Sequence, residues 1–241
     1  MSEADRIRSV YAGDQYTLAR ADDWSAPYHP RNPKGLGRYQ LHAVQRAVIA
    51  VLNEGDVDLA GRTVLDLGCG GGHLLRFLVE LGVDPHDCTG LDLMAERVEL
   101  GRRCNPAMTF LEGDATVTGL HGPYELVCQS VALCNLLGDA SRARFAREML
   151  RLTAPGGVIL WHDIAIQEPR AQTRAVSPAE VRELLRSDPV AERWVLHKRT
   201  EQLVSYGMGW LADAIDAYAP HRVVQRSNYV ALFRPRRRRF S

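Results

Sequence analysis

A strand-like run, Val64-Leu65-Asp66-Leu67, leads straight into Gly68-Cys69-Gly70-Gly71-Gly72-His73 and then into a helical pattern. Strand, glycines and helix in that order form the turn that receives nucleotide-like ligands at the carboxyl end of a parallel sheet. Two ligand classes compete for such a turn. The dinucleotide fingerprint G-x-G-x-x-G needs a glycine where His73 stands, so the glycine used for close helix and strand packing is missing. Asp66, two residues before the loop, would repel a pyrophosphate and attract a cationic nucleoside. No Gly-Lys-Ser/Thr follows, which removes the P-loop reading.

Two more acids follow at the ends of strand-like runs. Asp92 closes the second run and can accept both ribose hydroxyls of a bound nucleoside, a contact shared by nicotinamide and adenosylmethionine sites. After the third run, Glu112-Gly113-Asp114-Ala115 offers the Asp114 carboxylate for an adenine amino group, with the Ala115 N–H beside it. An acid followed by a small residue at this point favours the cationic nucleoside.

As an ordered set, residues 59–164 resemble the class I S-adenosylmethionine-dependent methyltransferases. The motifs are VLDLGCGGG at the glycine loop, GLD at Asp92, EGDA at Asp114, ELVCQS in the fourth run and LTAPGGVILW leading into the fifth. The resemblance implies S-adenosylmethionine as cofactor, with Asp66, Gly68, Gly70 and Gly72 at its methionine end and Gln129 beside the same moiety. It implies Asp92 at the ribose and Asp114 with Ala115 at the adenine; Cys69, Leu93, Gly113 and Ser130 complete the cofactor set. Methyl transfer from a sulfonium is an in-line displacement, so such a site mainly has to align acceptor, methyl and sulfur. A hydroxyl acceptor also benefits from a base near its proton. Trp161-His162-Asp163 leaves the fifth run at the edge where acceptors lie in this family. His162 is therefore the base candidate, since histidine titrates in the useful range, and Asp163 would orient it or the acceptor. The competing reading is that His162 merely caps the strand end.

The elements that must position these residues are legible in the periodicity. Strand-length apolar runs at 63–67, 88–93, 108–111, 125–129 and 158–161 alternate with helical patterns at 74–81, 95–103 and 141–152, the last ended by Pro155-Gly156-Gly157. Strict alternation predicts an α/β fold, a Rossmann-like doubly wound, mostly parallel sheet with an antiparallel closing strand. Leu41, Val44, Val48, Val51 and Leu52 mark an amphipathic helix, so the catalytic domain is expected to span 37–241. Ser177-Pro178-Ala179-Glu180 opens a further helix as a capping box. Closing strands are expected at 194–196 and 229–233, with a helical insertion near 203–219 that carries Tyr206, Met208, Trp210 and Tyr218. Residues 1–36 read as loop or short helix, an N-terminal lid or cap whose Tyr11, Tyr16, Trp24 and Tyr28 could fold over the ligands.

Bulk properties narrow the function further. At 241 residues, with 46% hydrophobic and 24% charged residues, the chain suits one large globular domain. The formal net charge is +1, but Arg234 and Arg236-Arg237-Arg238-Arg239 supply five positive charges, leaving the body net acidic. That balance argues against nucleic acid as partner. Lys34 and Lys198 are the only lysines. The five cysteines form no C-x-x-C and the histidines no H-x-x-x-H, so neither disulfides nor a metal site is expected. No apolar run suggests a membrane span or a signal peptide, and a cytoplasmic location follows as the expectation. The expected acceptor is a small molecule, a sugar or secondary metabolite of natural-product biosynthesis, methylated on oxygen or nitrogen, with a homodimer as the candidate assembly. A nucleic-acid or protein methyltransferase is the alternative, although Gln129-Ser130-Val131-Ala132 lacks the Asn/Asp-Pro-Pro-aromatic signature of base methylation. A non-catalytic adenosylmethionine-binding regulator is the other, because fold and cofactor do not fix the reaction.

Overall fold

The computed structural model describes residues 2–12, 36–166, 172–197, 203, 208–218 and 226–235. Seven strands form one sheet in the order β3-β2-β1-β4-β5-β7-β6. They are β1 (Val64–Leu67), β2 (Cys88–Asp92), β3 (Thr109–Glu112), β4 (Tyr124–Ser130), β5 (Thr153–Ile164), β6 (Pro189–His197) and β7 (Arg226–Phe233). β7 runs antiparallel to both β5 and β6, and the other pairs are parallel. This is the doubly wound, Rossmann-like architecture expected from the alternation of runs.

Although the central strands are buried throughout, their side chains divide by the period of two. Val64, Leu126, Cys128, Val158, Leu160, Val230 and Leu232 face one layer, covered by α2 (Leu36–Glu54), α3 (His73–Glu80) and α4 (Ala95–Cys104). Leu65, Leu67, Val127, Ile159, Trp161, Ala231 and Phe233 face the other, covered by α5 (Asp139–Leu152) and α6 (Pro178–Leu185). The helix expected from Leu41 onward is α2, and its Val48, Val51 and Leu52 are buried.

Some boundaries differ from expectation for identifiable reasons. Pro155-Gly156-Gly157 does not end α5, because Thr153 already pairs with Tyr124 and its hydroxyl donates to the Met149 carbonyl at 2.7 Å. The three residues sit inside β5, where the register shifts and Gly156 takes a φ of 76°. β6 is longer than its apolar pattern because it forms the sheet edge. There Glu192 and Arg193 point to ion partners, Arg182 at 2.8 Å for the former and Glu54 for the latter. Residues 3–12 form a full helix, α1 (Glu3–Ala12). Ser2 and Asp5 cap each other, Ser2 Oγ accepting from the Asp5 N–H and the Asp5 carboxylate from the Ser2 N–H, both at 3.1 Å. The insertion between β6 and β7 contains α7 (Gly209–Tyr218), whose Ala212 packs on Tyr39 and Ala43 of α2 while Trp210 is exposed. Tyr206 lies outside the described residues. No helix among the described residues is long and apolar enough to cross a membrane.

A buried guanidinium locks the segment that follows β4. Arg142 of α5 donates to the Leu136 carbonyl at 2.7 Å, to the Ala175 carbonyl at 3.2 Å and to Glu180 Oε1 at 2.7 Å. Glu180 thus turns its carboxylate away from the Ser177 cap, whose hydroxyl still accepts from the Glu180 N–H at 3.1 Å. Removing the guanidinium leaves the Leu136 and Ala175 carbonyls without this donor, a loss of about 1 to 3 kcal/mol, while the partly exposed Glu180 keeps Arg174 at 3.1 Å. Arg142→Met is expected to lose stability in that range, read as a fall in the urea midpoint at constant m-value; a loss below about 1 kcal/mol would show that Arg142 does not hold the segment.

Candidate functional site

The carboxyl ends of β1 to β4 open onto a cavity of about 410 Å³. Of the residues marked by the sequence, Asp66, Gly68, Cys69, Gly70, Asp92, Leu93, Asp114, Ala115 and Ser130 line it. Gly72, Gly113, Gln129, His162 and Asp163 do not.

The glycine loop is pressed onto the sheet. The Gly68 and Cys69 N–H groups both donate to the Leu91 carbonyl, at 2.8 and 3.0 Å. Gly68 has a φ of 78°, and a Cβ there would come within 2.6 Å of the Ala132 Cβ, so both conformation and space call for glycine. Gly72 closes the loop at the start of α3, its Cα against the Phe110 ring. Gly113 donates to the Asp92 carbonyl at 2.9 Å and so seats the loop after β3 on β2.

The three acids differ in environment. Both oxygens of Asp92 are held by backbone, Oδ2 by the Gly70 N–H at 2.8 Å and Oδ1 by the Met94 N–H at 2.9 Å. Asp114 Oδ1 accepts from the Thr116 N–H at 2.7 Å. Asp66, by contrast, is 1% exposed, and its Oδ1 has no hydrogen-bond partner among the described residues. Burial, reinforced by the nearby Asp92 charge, pushes its carboxyl up to about 7.

His162 and Asp163 are adjacent in sequence but lie on opposite faces of β5. His162 Nδ1 is 2.8 Å from Ser130 Oγ and its Nε2 is 3.1 Å from Asn228 Oδ1. Burial pulls this imidazole down to about 4. Asp163 instead accepts from the Ile164 N–H at 2.8 Å and the Cys134 N–H at 3.2 Å, and burial lifts it to about 6. The His162 ring is therefore oriented by Ser130 and Asn228, not by Asp163. Gln129 shares the Asp163 side of the sheet. It accepts from the Ala132 N–H at 3.1 Å and donates to the His162 carbonyl at 3.0 Å, bracing the exit of β4. Beyond that exit Val131 has a φ of 56°, a strained conformation for a β-branched residue at the cavity wall.

The rest of the lining was not evident in the motifs. Ile7 and Tyr11 of α1, Leu41, Val44 and Val48 of α2, and Arg97 of α4 form the walls. Tyr11, marked in the sequence as an aromatic of a possible cover, donates its hydroxyl to Asn135 Oδ1 at 2.7 Å, and the Arg97 guanidinium lies 4.4 Å above its ring. Tyr16, Trp24 and Tyr28 lie outside the described residues. Among the described residues no group of three or more His, Cys, Asp or Glu is arranged to hold a metal ion.

Residues 64–157 match the family model of a methyltransferase domain. Malonyl-[acyl-carrier protein] O-methyltransferase of Pectobacterium atrosepticum is 35% identical over 106 residues, 44% of this chain and 40% of that protein. The chain thus spans about two fifths of the length of the first curated relatives it matches. Among solved structures, magnesium protoporphyrin IX methyltransferase from Synechocystis PCC 6803 with bound SAM aligns with a TM-score of 0.64 at 15% identity, covering 97% of this chain and 98% of that one. N-methyltransferase NodS from Bradyrhizobium japonicum WM9, in complex with S-adenosyl-L-homocysteine, aligns at 0.63 and 14% identity, covering 98% and 100%. These two show the fold.

The Asp66 environment sets a pH dependence of stability. Between about pH 4 and 7 its carboxyl stays protonated in the folded chain and ionises in the unfolded one, so the folded state loses stability as pH rises through that window. Asp163 acts with the same sign, and His162 with the opposite sign between about pH 4 and 6.5. The difference between wild type and Asp66→Asn isolates Asp66. The variant is expected to gain stability relative to wild type on going from pH 5 to pH 8, by roughly 2 to 4 kcal/mol in urea titrations; parallel pH profiles would contradict this.

Proposed function

We propose, from a chain whose residues 64–157 match a methyltransferase domain, that the whole protein is a class I methyltransferase that takes S-adenosylmethionine and methylates an oxygen or nitrogen of a small molecule. A sugar or secondary metabolite of a natural-product pathway is the acceptor class we favour. The observation that carries the reading is Asp66, a buried carboxylate among the cavity-lining residues whose Oδ1 has no hydrogen-bond partner among the described residues. A carboxylate so placed costs stability unless a cationic donor meets it, and the α-ammonium of the cofactor is such a donor. The residues fit the group in its remaining parts as well. Asp92, fixed by two backbone N–H groups, would accept from the ribose hydroxyls; Asp114 and Ala115 would meet the adenine; Gly68 and Gly70 let the ligand lie close to backbone.

When bound, the cofactor supplies a methyl group on a sulfonium, and the chain has to align an acceptor atom in line with it and keep water out. The walls from α1 and α2 serve the second task. They line the cavity with apolar side chains, and Arg97 is the one Arg or Lys among its described lining residues, a surface suited to a metabolite rather than a nucleic-acid backbone. In this proposal Gly72, Gly113 and Gln129 shape the loops without touching the cofactor, Asp163 holds the segment after β4, and His162 acts through Ser130. Residues 1–36 serve as the cover of the 37–241 domain, with α1 fastened by Tyr11 to both rims of the cavity.

Two measurements test this reading. Transfer of radiolabelled methyl from S-adenosylmethionine to a panel of sugars, phenols and amines is expected to label a small molecule. Labelling confined to RNA or protein would overturn the acceptor class, and binding without transfer to any acceptor would point to a regulator. Tyr11→Ala removes the hydroxyl bond and the cation–π contact, each worth roughly 0.5 to 1.5 kcal/mol, and is expected to raise the acceptor KM about three- to tenfold. Tyr11→Phe, which keeps the ring under Arg97, should fall in between; a KM unchanged in both would dispose of the cover.

A further inference from the structure

Ser130, His162 and Asn228 come from three neighbouring strands, β4, β5 and β7, at the carboxyl end of the sheet. Ser130 pairs in register with His162, and Asn228 lies diagonally opposite His162, two residues from its partner Val230. All three side chains share the face that carries Cys128, Leu160 and Val230 under α2. Along that face apolar residues give way to polar ones only where the strands reach the cavity, and Ser130 is the member that lines it.

The hydrogen bonds in this row have a direction. Asn228 Nδ2 donates to Ser227 Oγ at 3.1 Å, which turns its Oδ1 toward His162. An amide oxygen only accepts, so His162 carries its proton on Nε2. Nδ1 is then a bare lone pair, and it lies 2.8 Å from the Ser130 oxygen, within reach of the hydroxyl proton. We propose that Ser130 is a specificity-determining residue whose hydroxyl proton is committed to His162, so that it offers the cavity only oxygen lone pairs and selects acceptors bearing an O–H or N–H. This rests on the methyltransferase reading of the same cavity.

A protic acceptor, a hydroxyl or a neutral amine, donates to those lone pairs and has its own lone pair left to face the methyl group. A carboxylate has no proton to donate and meets an oxygen lone pair instead, in a cavity that already holds Asp66, Asp92 and Asp114. Neutral His162 suits the role, since its burial keeps it unprotonated at physiological pH and its Nδ1 free to accept. The strained turn at Val131 and the Val131 N–H bond to the His162 carbonyl at 2.8 Å fix the backbone next to Ser130. Asp163 and Gln129, on the other face, brace that same turn through backbone groups, Gln129 donating to the His162 carbonyl, without reaching the side chains of the row.

The test uses the full chain labelled with 15N-histidine and saturated with S-adenosylhomocysteine. Long-range 1H–15N spectra are expected to show His162 as the neutral Nε2–H tautomer, with Nδ1 accepting, at pH 7. The Nδ1–H tautomer, or an imidazolium, would overturn the proposal. Asn228→Asp retains an acceptor facing Nε2 and should keep the tautomer, whereas Asn228→Ala should lose the bias. In the same sample phenol is expected to bind at least about tenfold more tightly than benzoate, and Ser130→Ala to erase most of that preference. Any other order in the wild type, including no measurable binding of phenol, would overturn the specificity. Failure of S-adenosylhomocysteine to bind would instead sink the methyltransferase reading and leave the tautomer result standing.

Discussion

An ionised carboxylate held out of water without a donor is among the most costly groups a folded chain can carry, several kcal/mol even after relaxation. Asp66 would be in that position once ionised: β1 delivers it to the end of the sheet between β2 and β4, opposite Gly90 and Cys128, where solvent does not reach. The loop around it is built to keep the cost from being relieved internally. The Gly70 and Met94 N–H groups donate to Asp92, and the Gly68 and Cys69 N–H groups to the Leu91 carbonyl. What is left over is a directed demand for an external cation at one point of the cavity lining.

The division of the sheet into two faces organises everything around that point. Because side chains alternate, consecutive residues at a strand end are assigned to different tasks. Ser130 and His162 face the cavity side with Asp66, while Gln129 and Asp163 turn to the other layer and hold the backbone from Val131 to Cys134 in place. Behind them Arg142 ties Leu136, just past that stretch, to α5, to the segment before α6 and to Glu180. The cavity wall formed by Val131 and Asn135 is therefore anchored from below by a buried polar network, and from above by α1 through Tyr11.

What the sequence disclosed and what it concealed follow from the range of the interactions concerned. The glycine loop, Asp92 and Asp114 are legible because each depends on its own strand and the few residues after it, and the fold brings them to one cavity in the expected order. Ser130, at the end of β4, enters through the resemblance, but its link to His162 and Asn228 depends on how three strands pair, which residue types alone do not state. The adjacency of His162 and Asp163 suggested cooperation that the pleat rules out. α1 is hidden among polar and aromatic residues, although Ser2 and Asp5 carry a capping signal; what holds it is a set of contacts far apart in the chain, Tyr11 and Arg6 to Asn135, Glu3 to the Leu137 and Gly138 N–H groups, and Ile7 on the core. β6 was underread because an edge strand shows its charged side chains as readily as its apolar ones.

The account stands or falls on the demand for a cation at Asp66. Calorimetric titration of S-adenosylhomocysteine at pH 6, repeated in buffers of different ionisation enthalpy, measures it directly. Largely protonated before binding, Asp66 must ionise to meet an ammonium group, so the account predicts release of about one proton, absent in Asp66→Asn. Binding with no proton release, or tight uptake of NAD in place of the adenosyl ligand, would contradict it.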